Sequence, residues 1–128
     1  MPTFPVVTGD VLTSTIFNGL PAFAVQTAKT ADYTAASGDE YQQLIPMNKA
    51  TAIAFKIPVD ATYNFPIGTV ITVLNIGVGT CTISATTPGT TTVLSAGATA
   101  ASPTLAQYKS AAIIKTAANT YYVVGAVA

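Results

Sequence analysis

Residues 51–58, TAIAFKIP, alternate cleanly: Ile53, Phe55 and Ile57 fall on one side of an extended chain, and Ala52, Ala54 and Lys56 on the other. A period of two with the large apolar residues on one side predicts a half-buried strand. The same period runs through TCTISA, where Cys81, Ile83 and Ala85 oppose Thr80, Thr82 and Ser84. VITVLN differs, because Val70, Thr72 and Leu74 oppose Ile71, Val73 and Asn75, so both sides carry apolar groups. A strand of that kind is expected to find a packing partner on each face.

Residues 65–85, FPIGTVITVLNIGVGTCTISA, contain no charged residue and read as a hairpin. Gly68 releases the chain into the first arm, and Gly77 and Gly79 are expected to supply the positive φ of the loop. Further strand signals are AVQTAKTADYT and EYQQLIPM, separated by a turn at Gly38, then TVLSAG, LAQYKSAAIIKT and NTYYVVGAV. In the last of these Tyr121 and Val123 oppose Tyr122 and Val124, and Asn119 stands where a turn would join the final two strands. TTPGTTT and ATAASPT read as loops, and no repeat of fixed period is evident. Six to eight short strands with turns at about ten-residue spacing predict an all-β chain, a single antiparallel β-sandwich or barrel-like domain.

Residues 1–26 break this pattern. Pro2 and Pro5 frame an extended stretch, and a short helix is expected from Thr13 or Ser14 to the stop at Asn18-Gly19 ahead of Pro21. Leu12, Ile16, Phe17 and Leu20 share one face at helical spacing, over at most two turns, which is too short to be stable alone. The chain is therefore divided into an extended N-terminal arm with one short helix, 1–26, and a β domain, 27–128. The arm must dock on its own domain or on a neighbour, with Phe4, Val6, Val7, Leu12, Ile16, Phe17 and Leu20 as its contact residues.

Composition narrows the partners. Of 128 residues, 50% are hydrophobic and 8% charged, and the net charge is zero, where an ordinary soluble domain is about 25% charged. The five lysines, Lys29, Lys49, Lys56, Lys109 and Lys115, are scattered and there is no arginine. Nucleic acid is thereby excluded as a partner, because phosphate binding needs clustered cations. A near-neutral surface also gives little repulsion between copies, so self-association is expected. Apolar runs are interrupted well before the roughly 18–20 residues of a transmembrane helix, so no membrane is expected. MPTFPVVTGDV lacks the cationic and apolar regions of a secretory signal, and the chain is expected to be made in a cytoplasm and to stay off the usual export route.

Candidate chemistry is sparse. There is no histidine, which removes the commonest general base and metal ligand. The carboxylate pair Asp39-Glu40 reads as a solvated turn. Asp10 precedes the short helix, and Asp32 and Asp60 sit in or beside turns; a cation shared by carboxylates of several chains about a symmetry axis is the one metal arrangement they would suit. The single cysteine, Cys81, forms no internal disulfide and reads as a small buried hydrophobe. GVG lacks the third glycine and following helix of a dinucleotide fingerprint. Tyr33, Tyr41, Tyr63, Tyr108, Tyr121 and Tyr122 suit core or subunit-interface positions, or a platform for a sugar. No catalytic residue, cofactor or metal site is expected, and the chain is read as a protein without enzymatic activity.

The order TADYT, TAIAFKIP, FPIGTVITVLNIGVGTCTISA, TVL and YKSAAIIKTAANTYYVVGAV, over roughly residues 29–127, resembles a small β domain of tailed-bacteriophage virion proteins. Such domains occur in head fibre, capsid decoration and tail fibre proteins. The leading VVTGDVLTSTIFNGLP is similar to segments that precede them, while Tyr121-Tyr122 stands where members of that family often carry Trp. The resemblance implies a homotrimer, made in a host bacterial cytoplasm and located on the virion. It implies a decoration or cement protein whose partners are itself and the major capsid protein or another virion protein. Tyr122, Val124, Ile71 and Val73 are the trimer-interface candidates. The alternative it implies is a tail or head fibre protein binding host-surface glycans; small size and the lack of a shaft favour the first.

Overall fold

The structure is a computed structural model describing residues 25–41 and 44–128. The arm contacts and short helix expected within residues 1–24 lie outside the described residues. Alternating β-branched and small residues between turn-forming Gly, Pro and Asn give nine strands and no helix among the described residues. They are β1 (Tyr33–Thr34), β2 (Leu44–Met47), β3 (Ile53–Ile57), β4 (Val70–Asn75), β5 (Cys81–Ala85), β6 (Thr92–Ser95), β7 (Thr104–Leu105), β8 (Ser110–Ala117) and β9 (Thr120–Gly125). One sheet has the order β1-β3-β5-β7 and the other β2-β4-β8-β9-β6.

Both sheets are mixed, which corrects the antiparallel expectation. β1 with β3, β3 with β5, β2 with β4 and β6 with β9 run parallel, and β4 with β8, β5 with β7 and β8 with β9 run antiparallel. The expected hairpin over residues 65–85 is also corrected: β4 belongs to the five-stranded sheet and β5 to the four-stranded one. Residues 76–80 carry the chain from one sheet to the other, and residues 48–52 make the same crossing earlier. The two passages lie side by side at a constant offset of 28 residues, with Leu44 opposite Thr72 and Ile57 opposite Ala85. No residue identities repeat at that interval, so the offset leaves no trace in the sequence.

Gly77 and Gly79 serve this stacking. Ile76 N–H and Gly77 N–H donate to the Met47 carbonyl, and Gly79 N–H to that of Lys49. A Cβ on Gly77 would fall 2.4 Å from Lys49 N, and one on Gly79 1.8 Å from the Thr51 carbonyl oxygen. The described glycines with positive φ are instead Gly38, Gly68 and Gly125, so close backbone approach, and not loop handedness, requires glycine at 77 and 79.

Asn75 pins the start of the later crossing. Its buried side-chain amide donates to the carbonyls of Gly79 (2.9 Å) and Leu105 (2.8 Å), and its Oδ1 accepts from Gly77 N–H. At the other end of the sheet, Asn119 adopts a φ of 47° and turns β8 into β9, as the sequence predicts.

The core draws on both sheets. Ile53, Phe55 and Ile57 of β3, with Cys81, Ile83 and Ala85 of β5, join Ile71 and Val73 of β4, Ala111 and Ile113 of β8, and Tyr121 and Val123 of β9. The alternation read from TAIAFKIP and TCTISA places the same residues inside.

Candidate functional site

Two regions stand apart from ordinary core packing. The first is the outer face of the five-stranded sheet. Because β-strand side chains alternate, burying Tyr121 and Val123 turns Tyr122 and Val124 outward, where they are 43% and 49% exposed. Register aligns them with like neighbours. Leu94, Tyr122, Ile114 and Val70 form one row across β6, β9, β8 and β4. Val124, Ala112, Thr72 and Leu44 form a second across β9, β8, β4 and β2. Neither row contains a charge. Leu94 is 38% exposed, and an apolar groove runs between β6 and β9, lined by Leu94, Ala96, Tyr122, Val124 and Val127.

The structure separates the four sequence-derived interface residues. Tyr122 and Val124 lie together on this face. Ile71 and Val73 point the other way and are buried in the chain's own core. VITVLN has apolar groups on both sides, so its sequence does not show which side the core takes; the structure leaves Val70, Thr72 and Leu74 on the outer one, half-buried.

The second region surrounds Lys115. The inward register of β8 runs Ala111, Ile113, Lys115, so the lysine enters the interior and is 1% exposed. Its ammonium donates to Asp60 Oδ1 (2.8 Å), Asn64 Oδ1 (2.6 Å) and the Phe65 carbonyl (2.8 Å). All three of its N–H donors are thereby used. Asp60 Oδ2 accepts from Asn119 N–H, and Asp60 N–H donates to Asn119 Oδ1, both at 2.8 Å. This ties the loop after β3 to the β8–β9 turn. Tyr121 stands opposite Lys115 in the ladder, and its buried hydroxyl has no hydrogen-bond partner among the described residues. Burial, with the Asp60 charge adding to it, pushes that hydroxyl up to about 12. In the sequence Lys115 is one of five scattered lysines, and the signal that marks it as inward is the period of two, which puts it in line with Ala111 and Ile113.

The acidic pair corrects another expectation. Asp39 is buried and accepts from the Tyr33 hydroxyl (2.7 Å), Gln26 Nε2 and Ala36 N–H (2.9 Å). Glu40 accepts from the Tyr63 hydroxyl and Gly38 N–H. The pair is thus no solvated turn; it closes the loop after β1 by supplying acceptors to tyrosines and backbone. Burial first, and then the hydrogen bond and charge of Asp39, raise the Tyr33 hydroxyl above its ordinary value. Glu40 does the same for Tyr63.

Cys81 is buried in β5, and burial pushes its thiol up to about 11, which suits an inert core residue. Among the described residues there is no cluster of three His, Cys, Asp or Glu that could hold a metal ion, and no helix long and apolar enough to cross a membrane. Of the tyrosines, Tyr121 is core, Tyr33 and Tyr63 pack against the core, and Tyr41, Tyr108 and Tyr122 are exposed on separate elements. Comparison with family models, curated proteins and solved structures finds no match.

Proposed function

We propose that the chain is a non-catalytic structural protein of a tailed-bacteriophage virion, a decoration or cement protein that binds the outer shell as a homotrimer. The observation that carries this reading is the uncharged outer face of the five-stranded sheet, with Leu94, Tyr122 and Val124 exposed on it. Apolar rows of this extent are costly in water and suit burial against other copies. Closed symmetry would cover them without open-ended growth; the number three comes from the resemblance of residues 29–127 to virion β domains. In this reading the two sheets that share one core are the layers of a sandwich. Residues 1–23 reach onto the capsid lattice or an adjacent trimer, with Phe4, Val6, Val7, Leu12, Ile16, Phe17 and Leu20 in contact. Stabilisation arises from added buried area across shell joints and from multivalent attachment.

A second reading, a head or tail fibre binding host-surface glycans, draws on the exposed rings of Tyr41 and Tyr108. The test is reconstitution: purified protein is added to phage particles that lack it, and the particles are imaged by electron microscopy. Regular density over the capsid, with improved resistance to heating, is expected. Density confined to the tail or a vertex would overturn the decoration role in favour of a fibre. Deleting residues 1–23 should leave the β domain folded and abolish its retention on particles, and equal retention would remove the arm from the attachment.

A further inference from the structure

We propose that Lys115 and Asn64 are the two halves of a self-forming isopeptide bond, with Asp60 as the proton relay. The arrangement contains the parts this reaction needs. Lys115 supplies an amine nucleophile, held in the interior at 1% exposure. Asn64 presents its amide carbonyl, Oδ1 lying 2.6 Å from Nζ. Since Cγ is bonded to that oxygen at about 1.2 Å, it lies no farther than about 3.8 Å from the nitrogen, close to the near-attack distance of roughly 3–3.5 Å. Asp60 touches the same nitrogen at 2.8 Å and is itself largely shielded. The aromatic ring of Tyr121 lies beside the ammonium, 5.8 Å from it to the ring centroid.

The step is balanced without any co-reactant. Asp60 takes a proton from the Lys115 ammonium, leaving a neutral amine. Rotation about Cβ–Cγ of Asn64, which is exposed at its outer side, turns the face of the carbonyl to that amine. The nitrogen lone pair forms the new N–Cγ bond. Asp60 passes its proton to the departing amide nitrogen and accepts one from the attacking nitrogen, and the old Cγ–N bond breaks. Ammonia leaves through the open recess bounded by Asn64, Pro66, Ile67 and Ala118. No oxidation or reduction occurs. Low-dielectric surroundings favour this outcome, because a buried ammonium is replaced by a neutral amide. The product ties β8 to the loop after β3 across 51 residues of chain, a closure that restricts the unfolded state as a disulfide does.

Intact-mass spectrometry of the purified full chain tests this directly. The expected mass is lower than that of the sequence by one ammonia, and proteolysis yields a branched peptide joining Asn64 to Lys115. Peptide mapping is needed because Asn18-Gly19 can also lose ammonia by cyclising on its own backbone. Asn64→Ala, which keeps Asp60 and the Phe65 carbonyl on Lys115, should show full mass, and Asp60→Asn should show full mass when freshly purified. A folded natural chain that keeps its full mass through days at neutral pH would overturn the proposal, leaving Lys115 a non-covalent staple. Ammonia loss that maps to Asn18 alone would overturn it as well.

Discussion

Gly79 lies so close to Thr51 that a Cβ built on it would fall 1.8 Å from the Thr51 carbonyl oxygen. The contact is backbone on backbone, so no side chain can swing away to relieve it. Gly79→Ala must separate the two stacked crossings and strain the Gly79 N–H bond to Lys49. A loss of about 3 kcal/mol is expected, at the upper end for an overpacked site. Gly89→Ala, at a position with nothing within 4 Å, should change stability by less than about 0.5 kcal/mol. Urea unfolding of the two variants checks the contrast, and equal midpoints would show that the crossings are not packed this tightly.

Asn75 is the polar counterpart of that contact. Its amide satisfies the carbonyls of Gly79 and Leu105, and its Oδ1 takes the N–H of Gly77, all in a fully buried setting. Asn75→Ala takes this donor from the Gly79 and Leu105 carbonyls, leaves Gly77 N–H with its longer bond to the Met47 carbonyl, and is expected to cost about 3 kcal/mol. Asn75→Asp should be worse, since a carboxylate would face two carbonyl oxygens with nothing to donate. Chemical denaturation gives both values. An Asn75→Asp protein as stable as the natural chain at neutral pH would contradict the hydrogen-bond assignment.

The sequence shows the inside of β3 and β5 because Ile53, Phe55, Ile57, Cys81 and Ile83 keep a strict period of two, and one buried face is all that period encodes. It does not show pairing. A strand that turns back on its neighbour and a strand that crosses to the opposite sheet carry the same alternation, and NIGVG suits either. Its glycines answer to Lys49 and Thr51, some 28 residues away, a demand that local turn chemistry does not contain. At the candidate face neither the choice between Tyr121 and Tyr122 nor that between Ile71 and Val70 is legible, since both sides of each strand are apolar and only the packed sheet distinguishes them. Asp39 and Glu40 look like turn residues because they are; their burial depends on Tyr33 and Tyr63, whose approach is tertiary.

Alkaline pH should weaken the fold through the groups that burial raises, Cys81 first and then the hydroxyls of Tyr33 and Tyr121. Burial pushes the Cys81 thiol from 9.0 up to about 11 and the Tyr121 hydroxyl from 10.0 up to about 12. A raised folded-state value means that the unfolded chain releases its proton first. Stability is therefore fully present below about pH 9 and is lost progressively as pH rises through these folded-state values. Unfolding midpoints measured from about pH 8 to pH 11 should fall. In Cys81→Ala the decline should begin about one pH unit later, where tyrosine takes over. A flat profile, or the same onset in the variant, would show that these groups ionise as freely in the fold as in water.

The outer face of the five-stranded sheet makes the last prediction, and its logic depends on the opposite fates of neighbouring residues in β9. Tyr121 and Val123 hold the core, so a charge there would unfold the chain, whereas Tyr122 and Val124 are exposed, and lysine at either reaches solvent in the monomer. Tyr122→Lys and Val124→Lys should each leave the β-sheet circular dichroism and the melting temperature nearly unchanged. In an oligomer built on this face the same lysines would be desolvated without a counter-charge, because neither row across the sheet contains a carboxylate. Self-association should weaken about tenfold or more, equivalent to at least ~1.4 kcal/mol, and the double variant should sediment as a monomer at micromolar concentration. A double variant that sediments with the natural chain would remove this face as the contact between copies, and with it the observation on which the structural role rests.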